Sequence, residues 1–357
     1  MQPHVPVKSS LNMAKKALKR MAKRWRKTAL LLILVALLVG TALFHYSTAP
    51  VNPEQTTKIV DIPKGAGFIR ISEILSEAGF VRNRPFFWLL ALGKQATLHI
   101  RAGEYELSGS MSPAEIFDKL VRGEIKSYSV TLPEDITVGD VAERLVAFKL
   151  INEKEFAALA TDKNFLVSLG IESDSIEGYL YPNTYKLDRS MTTKEVLRTL
   201  VKEFWRRVTP EMRSRAETMG LNINEWVTLA SIIGKESGNS EEKPLISAVF
   251  HNRLALGMKL QSDPTAVYHM GNTGNSVKTV RREHLLADTP HNTYRIKGLP
   301  PGPIANPAVD SLLAALYPAK VDYLYFVAKN DGTHYFSASL QTHNRAVLKY
   351  QINKQKK

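Results

Sequence analysis

At 357 residues the chain is long enough for two or more domains, each with its own core. A composition of 44% hydrophobic and 23% charged residues excludes a largely disordered chain. The net charge of +14 suggests a nucleic-acid partner until it is located: residues 1–28 hold nine Lys and Arg and no acid, leaving 39 basic against 34 acidic residues. No aromatic-basic stripe or nucleic-acid motif accompanies that balance, so no nucleic-acid partner is expected.

An uncharged run from Thr28 to Thr48, with the core TALLLILVALLVGTALF, follows the basic segment. Some 17 to 20 apolar residues at about 1.5 Å each span a hydrocarbon layer. A cleaved signal peptide is the competing reading, but the basic segment is long and no A-x-A site follows. The pattern therefore predicts a single-pass anchor with residues 1–28 in the cytoplasm and the remainder outside. Residues 49–57 (APVNPEQTT) read as a short linker.

From Lys58 the series strand, Pro turn, amphipathic helix, polar break and second helix occurs once, and it recurs from Ser129. Pro63 and Pro133 mark the two copies, which suggests two related small α/β units. Arg101–Ile125 between them reads as a strand, a turn and a helix capped by Ser112. Such units suit structural spacers as well as sugar-binding modules. Residues 150–170 read as helical. The stretch IEGYLYPNTYKL (176–187) then packs Glu177, Tyr179, Tyr181, Asn183, Thr184 and Tyr185 together. That density of rings and hydroxyls fits either sugar stacking or an aromatic plug between domains. Helices are predicted next over Thr192 to about Val208 and over Pro210 to Met219.

The stretch Leu221–Gly271 organises the rest. Ile223, Trp226, Val227, Ala230 and Ile233 recur at helical spacing, with Asn222 or Asn224 as cap and Gly238 with Asn239 as stop. Glu236 falls in the last turn, where the helix dipole and apolar neighbours both disfavour a carboxylate and raise its pKa. A glutamate at a helix end is ordinarily a solvated surface residue. Here it keeps company with QSDPTAVY (261–268), HNTYRIKGLPPGPIANP (291–307) and YLYFVAKNDGTHYFS (323–337), loops shaped to hold a ligand. Glu242 to Leu256 reads as a helix with Pro244 in its first turn and Gly257 as its stop. No cysteine is present, which excludes disulfides and thiol chemistry. The nine His lack paired ligand spacing, and Gly-rich phosphate loops and GxSxG elbows are absent, so no metal or cofactor is expected.

The segments ASIIGKES, AVFHNRLALGMKLQSDPTAVY, NTY-x-I-x-GLPPGPIANP, YLYFVA and THNRAV, together with EGYLYPNTY upstream, resemble the endolytic murein transglycosylase family, also called MltG or YceG-like. The resemblance covers essentially everything after the linker. It implies an enzyme, a lyase of peptidoglycan, that cuts between N-acetylmuramic acid and N-acetylglucosamine within nascent glycan strands. Its product would end in 1,6-anhydromuramic acid, and its role would be in terminating strand elongation beside membrane-bound synthases. Glu236 corresponds to the family's catalytic glutamate, the second acid of an E-K-E signature whose first position is Gly234 here. The loops place Gln261, Ser262, Asp263, Thr265, Tyr268, Asn292, Thr293, Tyr294, Glu177 and Tyr181 as expected substrate contacts. For Asp263, a helix cap or an ion pair with Arg253 is an equal alternative.

The whole reads as an α+β protein of the bacterial inner membrane. Expected are a basic cytoplasmic segment (1–28), a transmembrane anchor (29–48), a linker (49–57), a LysM-like α/β region (58–170), a mixed α/β catalytic domain (171–350) and a basic tail (351–357). Two rival functions stay open at this point. A muramidase hydrolase would need a positioned water and a second acid such as Asp263 or Glu177. A non-catalytic glycan-binding scaffold for cell-wall synthases is the other, made thinkable by Gly234.

Overall fold

The computed structural model describes residues 7–52, 56–93, 100–268 and 280–352. The expected basic tail beyond residue 352, the middle of the linker and the end of the Leu221–Gly271 stretch lie outside them. The protein is α+β and divides into two compact units, Met1–Lys126 and Ser127–Lys357.

The first unit begins with α1 (Val7–Thr48), the one described helix long and apolar enough to cross a membrane. It continues with β1 (Thr57–Ile62), α2 (Phe68–Glu77), α3 (Arg84–Gly93), β2 (Gly103–Ser108) and α4 (Pro113–Val121). Strands β1 and β2 pair antiparallel from Thr57↔Ser108 to Ile62↔Gly103. Their inward residues Val60, Ile62, Tyr105 and Leu107 meet Leu75, Phe87, Phe117 and Leu120 in one buried cluster. Ser112 caps α4 as expected, accepting from the Glu115 N–H while the Glu115 carboxylate accepts from Ser112. Residues after α1 are not a free linker. Val51 is buried, and the Val51 and Asn52 N–H groups donate to the carbonyls of Met111 and Gly109 at 3.0 and 2.7 Å.

The second unit opens with a similar order that has one more helix between its strands: β3 (Tyr128–Thr131), α5 (Val138–Ala147), α6 (Glu153–Leu159), α7 (Lys163–Ser168), β4 (Thr184–Leu187) and α8 (Thr193–Arg207). Strands β3 and β4 pair from Tyr128↔Leu187 to Thr131↔Thr184. The repeat thus extends further than its first half. Tyr105 and Tyr185 each donate a hydroxyl to a carbonyl four residues back, at 2.7 and 2.6 Å, and Thr192 with Glu195 forms the same capping box as Ser112 with Glu115. The expected boundary at residue 170 falls inside this unit, because β3 finds its partner strand only at 184–187. Val130, Leu132, Val141 and Leu145 accordingly share one core with Trp226 and Ile233. The helix expected over 150–170 is two helices, since the Asp162 side chain accepts from the Phe165 N–H and starts a new one.

Then come α9 (Pro210–Thr218), α10 (Ile223–Glu236), α11 (Lys243–Ala255), α12 (Asp263–Val267), α13 (Arg282–Leu286) and α14 (Val309–Leu316). The hairpin β5 (Tyr325–Ala328) and β6 (His334–Ser337) follows, with α15 (Leu340–Val347) and a terminal π-helical turn, Leu348–Ile352. Helix α10 is the axis of this unit: every residue from Trp226 to Gly234 is buried. Asn222 is its cap, in a capping box with Glu225. Two of its buried polar side chains are matched across the core, with the Trp226 indole donating to Leu312 O at 2.9 Å and Ser231 Oγ accepting from the Ile304 N–H at 3.1 Å.

Candidate active site

Glu236 is the last residue of α10, half-buried at the helix C-terminus, and the chain leaves through an extended Ser237. The helix delivers this carboxyl to the edge of the core because the apolar periodicity runs unbroken until one turn before it. Ser262 donates to Glu236 Oε1 at 2.5 Å. Burial pushes the Glu236 carboxyl up to about 7; Asp263's charge adds to that, while the Ser262 hydrogen bond and Arg253 oppose it. A group of that kind holds a proton near neutral pH and releases it readily.

The segment that carries Ser262 is held from several sides. The Ser262 N–H donates to Thr293 Oγ1 at 2.9 Å, and Thr265 Oγ1 donates to Ser262 O at 2.6 Å. Thr265 and Thr293 share a hydroxyl contact of 2.8 Å, and both are buried. Gln261 is exposed and lies in the left-handed region at φ 50°, the turn that brings residues 262 and 263 round. Arg253, a buried guanidinium, donates to Leu260 O at 2.8 Å and to Leu324 O at 2.7 Å, locking the segment to α11 and the β5 hairpin. Its charge is thus spent on carbonyls. Asp263 is the first residue of α12 but makes no cap; its Oδ1 accepts from the Tyr294 hydroxyl at 2.5 Å. Neither alternative considered for Asp263 is what the fold uses.

Asn292 is wholly buried and shapes its loop from within: its amide donates to Ala287 O at 2.6 Å, and its Oδ1 accepts from the Tyr294 N–H at 3.0 Å. Glu236, Ser262, Thr265, Thr293, Asn292, Tyr294, Asp263 and Gln261 thus form one connected site. Among them only Gln261, Asp263, Tyr294 and Glu236 retain exposed surface.

Glu177 and Tyr181 are placed differently. Glu177 is 1% exposed and accepts from the Val138 N–H at 2.9 Å, the Asn306 amide at 3.0 Å and the Tyr268 hydroxyl at 3.1 Å. Burial lifts its carboxyl to about 7 against those donors. Glu177 and Tyr268 therefore tie α12 to the start of α5, with Asn306 also accepting from the Gly178 and Leu180 N–H groups at 3.0 and 2.9 Å. Tyr181 is 5% exposed, with the Arg207 guanidinium 5.3 Å from its ring centre. Tyr179 and Tyr185 are buried as well, so these rings are core and none is available to stack on a sugar.

One feature had no sequence signal. Gly234 is bare because Asp135, from the turn after β3, occupies the space its side chain would take. A Cβ there would lie 2.0 Å from Asp135 Oδ1 and 2.6 Å from Cγ. Asp135 holds a left-handed φ of 58°, and burial pushes its carboxyl up to about 6, opposed by Lys243. Lys243 is itself 1% exposed and paired with Asp310 at 2.8 Å. Among the described residues no cluster of three or more His, Asp or Glu is arranged to hold a metal ion.

The fold is α+β, and its candidate site gathers a half-buried carboxyl, Glu236, with the hydroxyl of Ser262 and with Gln261, Asp263 and Tyr294, which retain exposed surface. Its residues 60–349 match the YceG-like family, and the chain belongs to that family. It is 30% identical to the endolytic murein transglycosylase of Bacillus subtilis, over 90% of this chain and 93% of that protein. It is 30% identical to the endolytic murein transglycosylase of Streptococcus pneumoniae D39, covering 89% of this chain but 64% of that longer protein. The crystal structure of a YceG-like protein from Listeria monocytogenes superposes with a TM-score of 0.56 at 32% identity, covering 82% of this chain and 100% of that one.

Proposed function

We propose that this protein is an endolytic lytic transglycosylase of peptidoglycan with Glu236 as its single catalytic acid and base. The observation that carries the reading is Glu236 at the end of α10, raised to about 7 and held by Ser262. Protonated Glu236 donates to the glycosidic oxygen as the bond from muramic acid C1 breaks, and the departing N-acetylglucosamine takes the proton as a hydroxyl. The resulting carboxylate accepts the proton of the muramic acid 6-hydroxyl as that oxygen bonds to C1. The product is a 1,6-anhydro end, no water is consumed, and Glu236 is returned protonated. A hydrolase would need a second carboxylate free to activate water. Glu177 is spent on three internal donors, and the Asp263 carboxylate receives the Tyr294 hydroxyl, which supports the single-acid reading.

Gln261, Asp263 and Tyr294, the exposed members of the site, contact sugar hydroxyls in this reading; Ser262 tunes Glu236, and Thr265, Asn292 and Thr293 hold the loop. The β-α-α-β order of residues 57–108, and its recurrence with one added helix over 128–187, supports a LysM-like role in presenting the strand. Helix α1 serves as a single-pass anchor in the bacterial inner membrane, leaving the catalytic unit outside, beside the membrane-bound synthases whose strands it terminates. Mass spectrometry of digested glycan strands tests the reaction. Anhydro-ended fragments are expected, and reducing-ended fragments would identify a hydrolase instead.

A further inference from the structure

Helix α3 (RPFFWLLALG) is apolar around its whole circumference. A helix of that kind is buried on every side in its working state. One face meets this condition within the first unit: Phe87 and Ala91 are fully buried, with Phe87 stacked on Phe68 at 5.7 Å and edge-on to Phe117 at 5.8 Å. The opposite face does not. Pro85, Trp88, Leu89 and Leu92, at positions i, i+3, i+4 and i+7, form one stripe, and its three large members are 49%, 37% and 46% exposed. The exposed Arg82 and Arg84 stand at the helix start.

The position of this stripe indicates what covers it. Helix α3 packs on the last turns of α1, where Tyr46 meets Phe86 edge-on at 5.6 Å. The uncharged run Thr28–Thr48 is, at about 1.5 Å per residue, about as long as a hydrocarbon layer is thick. Tyr46 and the α3 contact therefore fall at its outer boundary. The attachment is rigid, since the Val51 and Asn52 N–H groups bind the Met111 and Gly109 carbonyls directly after the helix. A tryptophan with leucines beside it and arginines at the helix start suits the boundary between headgroups and acyl chains, where rings sit and guanidinium groups reach phosphate.

We propose that α3 is a second membrane contact: its Trp88–Leu89–Leu92 face lies in the outer interfacial layer of the bilayer that α1 spans. This rests on the reading of α1 as a transmembrane anchor. The consequence is that the first unit does not swing freely on a tether but is seated on the lipid surface at two points.

The absence of native cysteine makes the test direct. Single variants Trp88→Cys, Leu92→Cys and Leu34→Cys of the full chain are labelled with an environment-sensitive fluorophore. Each is reconstituted into phosphatidylethanolamine–phosphatidylglycerol vesicles containing lipids brominated at shallow or deep positions. Labels at 88 and 92 are expected to show a blue shift and loss of intensity with shallow bromines, and the label at 34 with deep ones. Circular dichroism and melting curves matching the unsubstituted chain confirm that each labelled variant is folded. Quenching at 34 together with water-like spectra at 88 and 92 would overturn the proposal while leaving the anchor intact, and would point to a protein partner for the stripe. Water-like spectra at 34 as well would remove the anchor and this inference with it.

Discussion

Replacing Ser262 by alanine removes the hydroxyl that donates to Glu236 at 2.5 Å while preserving the backbone bonds that place it, the N–H to Thr293 and the carbonyl to Thr265. The lost bond favours the charged carboxylate, so its removal raises the Glu236 pKa further above its present value of about 7. A hydrogen bond to a charged group is worth about 1.5–3 kcal/mol, or about one to two pH units. Glu236 is half-buried, so water replaces part of that interaction and about one unit remains. The proton donor is the protonated form, so activity falls as pH rises through this pKa. In Ser262→Ala the alkaline limb of kcat/KM should therefore move upward by about one pH unit. Cleavage of purified glycan strands, followed by chromatography from pH 5 to 9, reads this limb directly. An alkaline limb unmoved, or moved downward, in a variant with wild-type melting behaviour would refute the assignment of Ser262 as the group that tunes Glu236.

Gly234→Ala would put a Cβ 2.0 Å from Asp135 Oδ1, an overpacking that costs about 1–3 kcal/mol in denaturant unfolding. Adding Asp135→Gly should recover most of the loss, since glycine accepts the φ of 58° there, and strictly additive costs would show that the two residues are not opposed. Glu177, raised from 4.5 to about 7 in the folded protein, binds more protons folded than unfolded. Its contribution is therefore fully present below pH 4.5 and lost as pH rises through 7, by on the order of 3 kcal/mol. Glu236 adds a slope of the same sign to both proteins, so the difference between wild type and Glu177→Gln isolates this one. The variant should gain relative stability from pH 4.5 to 7, and parallel curves would contradict that. Arg253→Lys loses the forked bonds to Leu260 O and Leu324 O, and a loss of about 2–3 kcal/mol with reduced cleavage is expected. Unchanged melting in that variant would show that the guanidinium does not lock the loop.

The elements most legible in the sequence were those governed by local rules. Helix α10 shows its start at Asn222 or Asn224, of which the fold uses Asn222, its period from Ile223 to Ile233, and hence the terminal position of Glu236. Ser112, Thr192 and Pro210 mark helix starts for the same reason. What depended on distant partners was not legible. Nothing local says that β3 pairs with a strand more than fifty residues on, which is what moves the unit boundary to 126. The tyrosines of IEGYLYPNTYKL have the chemistry of a sugar platform, and only the packing of α8 around them shows that they are core. Glu177 carries no sign in sequence that three donors converge on it. The approach of Asp135 to Gly234 joins residues a hundred positions apart.

The central claim is that one carboxyl, Glu236, serves as both acid and base. It is tested most directly by Glu236→Gln, which keeps the shape of the side chain and its contact with Ser262 but removes the transferable proton. Incubated with glycan strands at neutral pH, the folded variant should yield no anhydro-ended fragments while the wild type does. Anhydro-ended products from the variant at a rate near that of wild type would place the acid elsewhere and contradict the account.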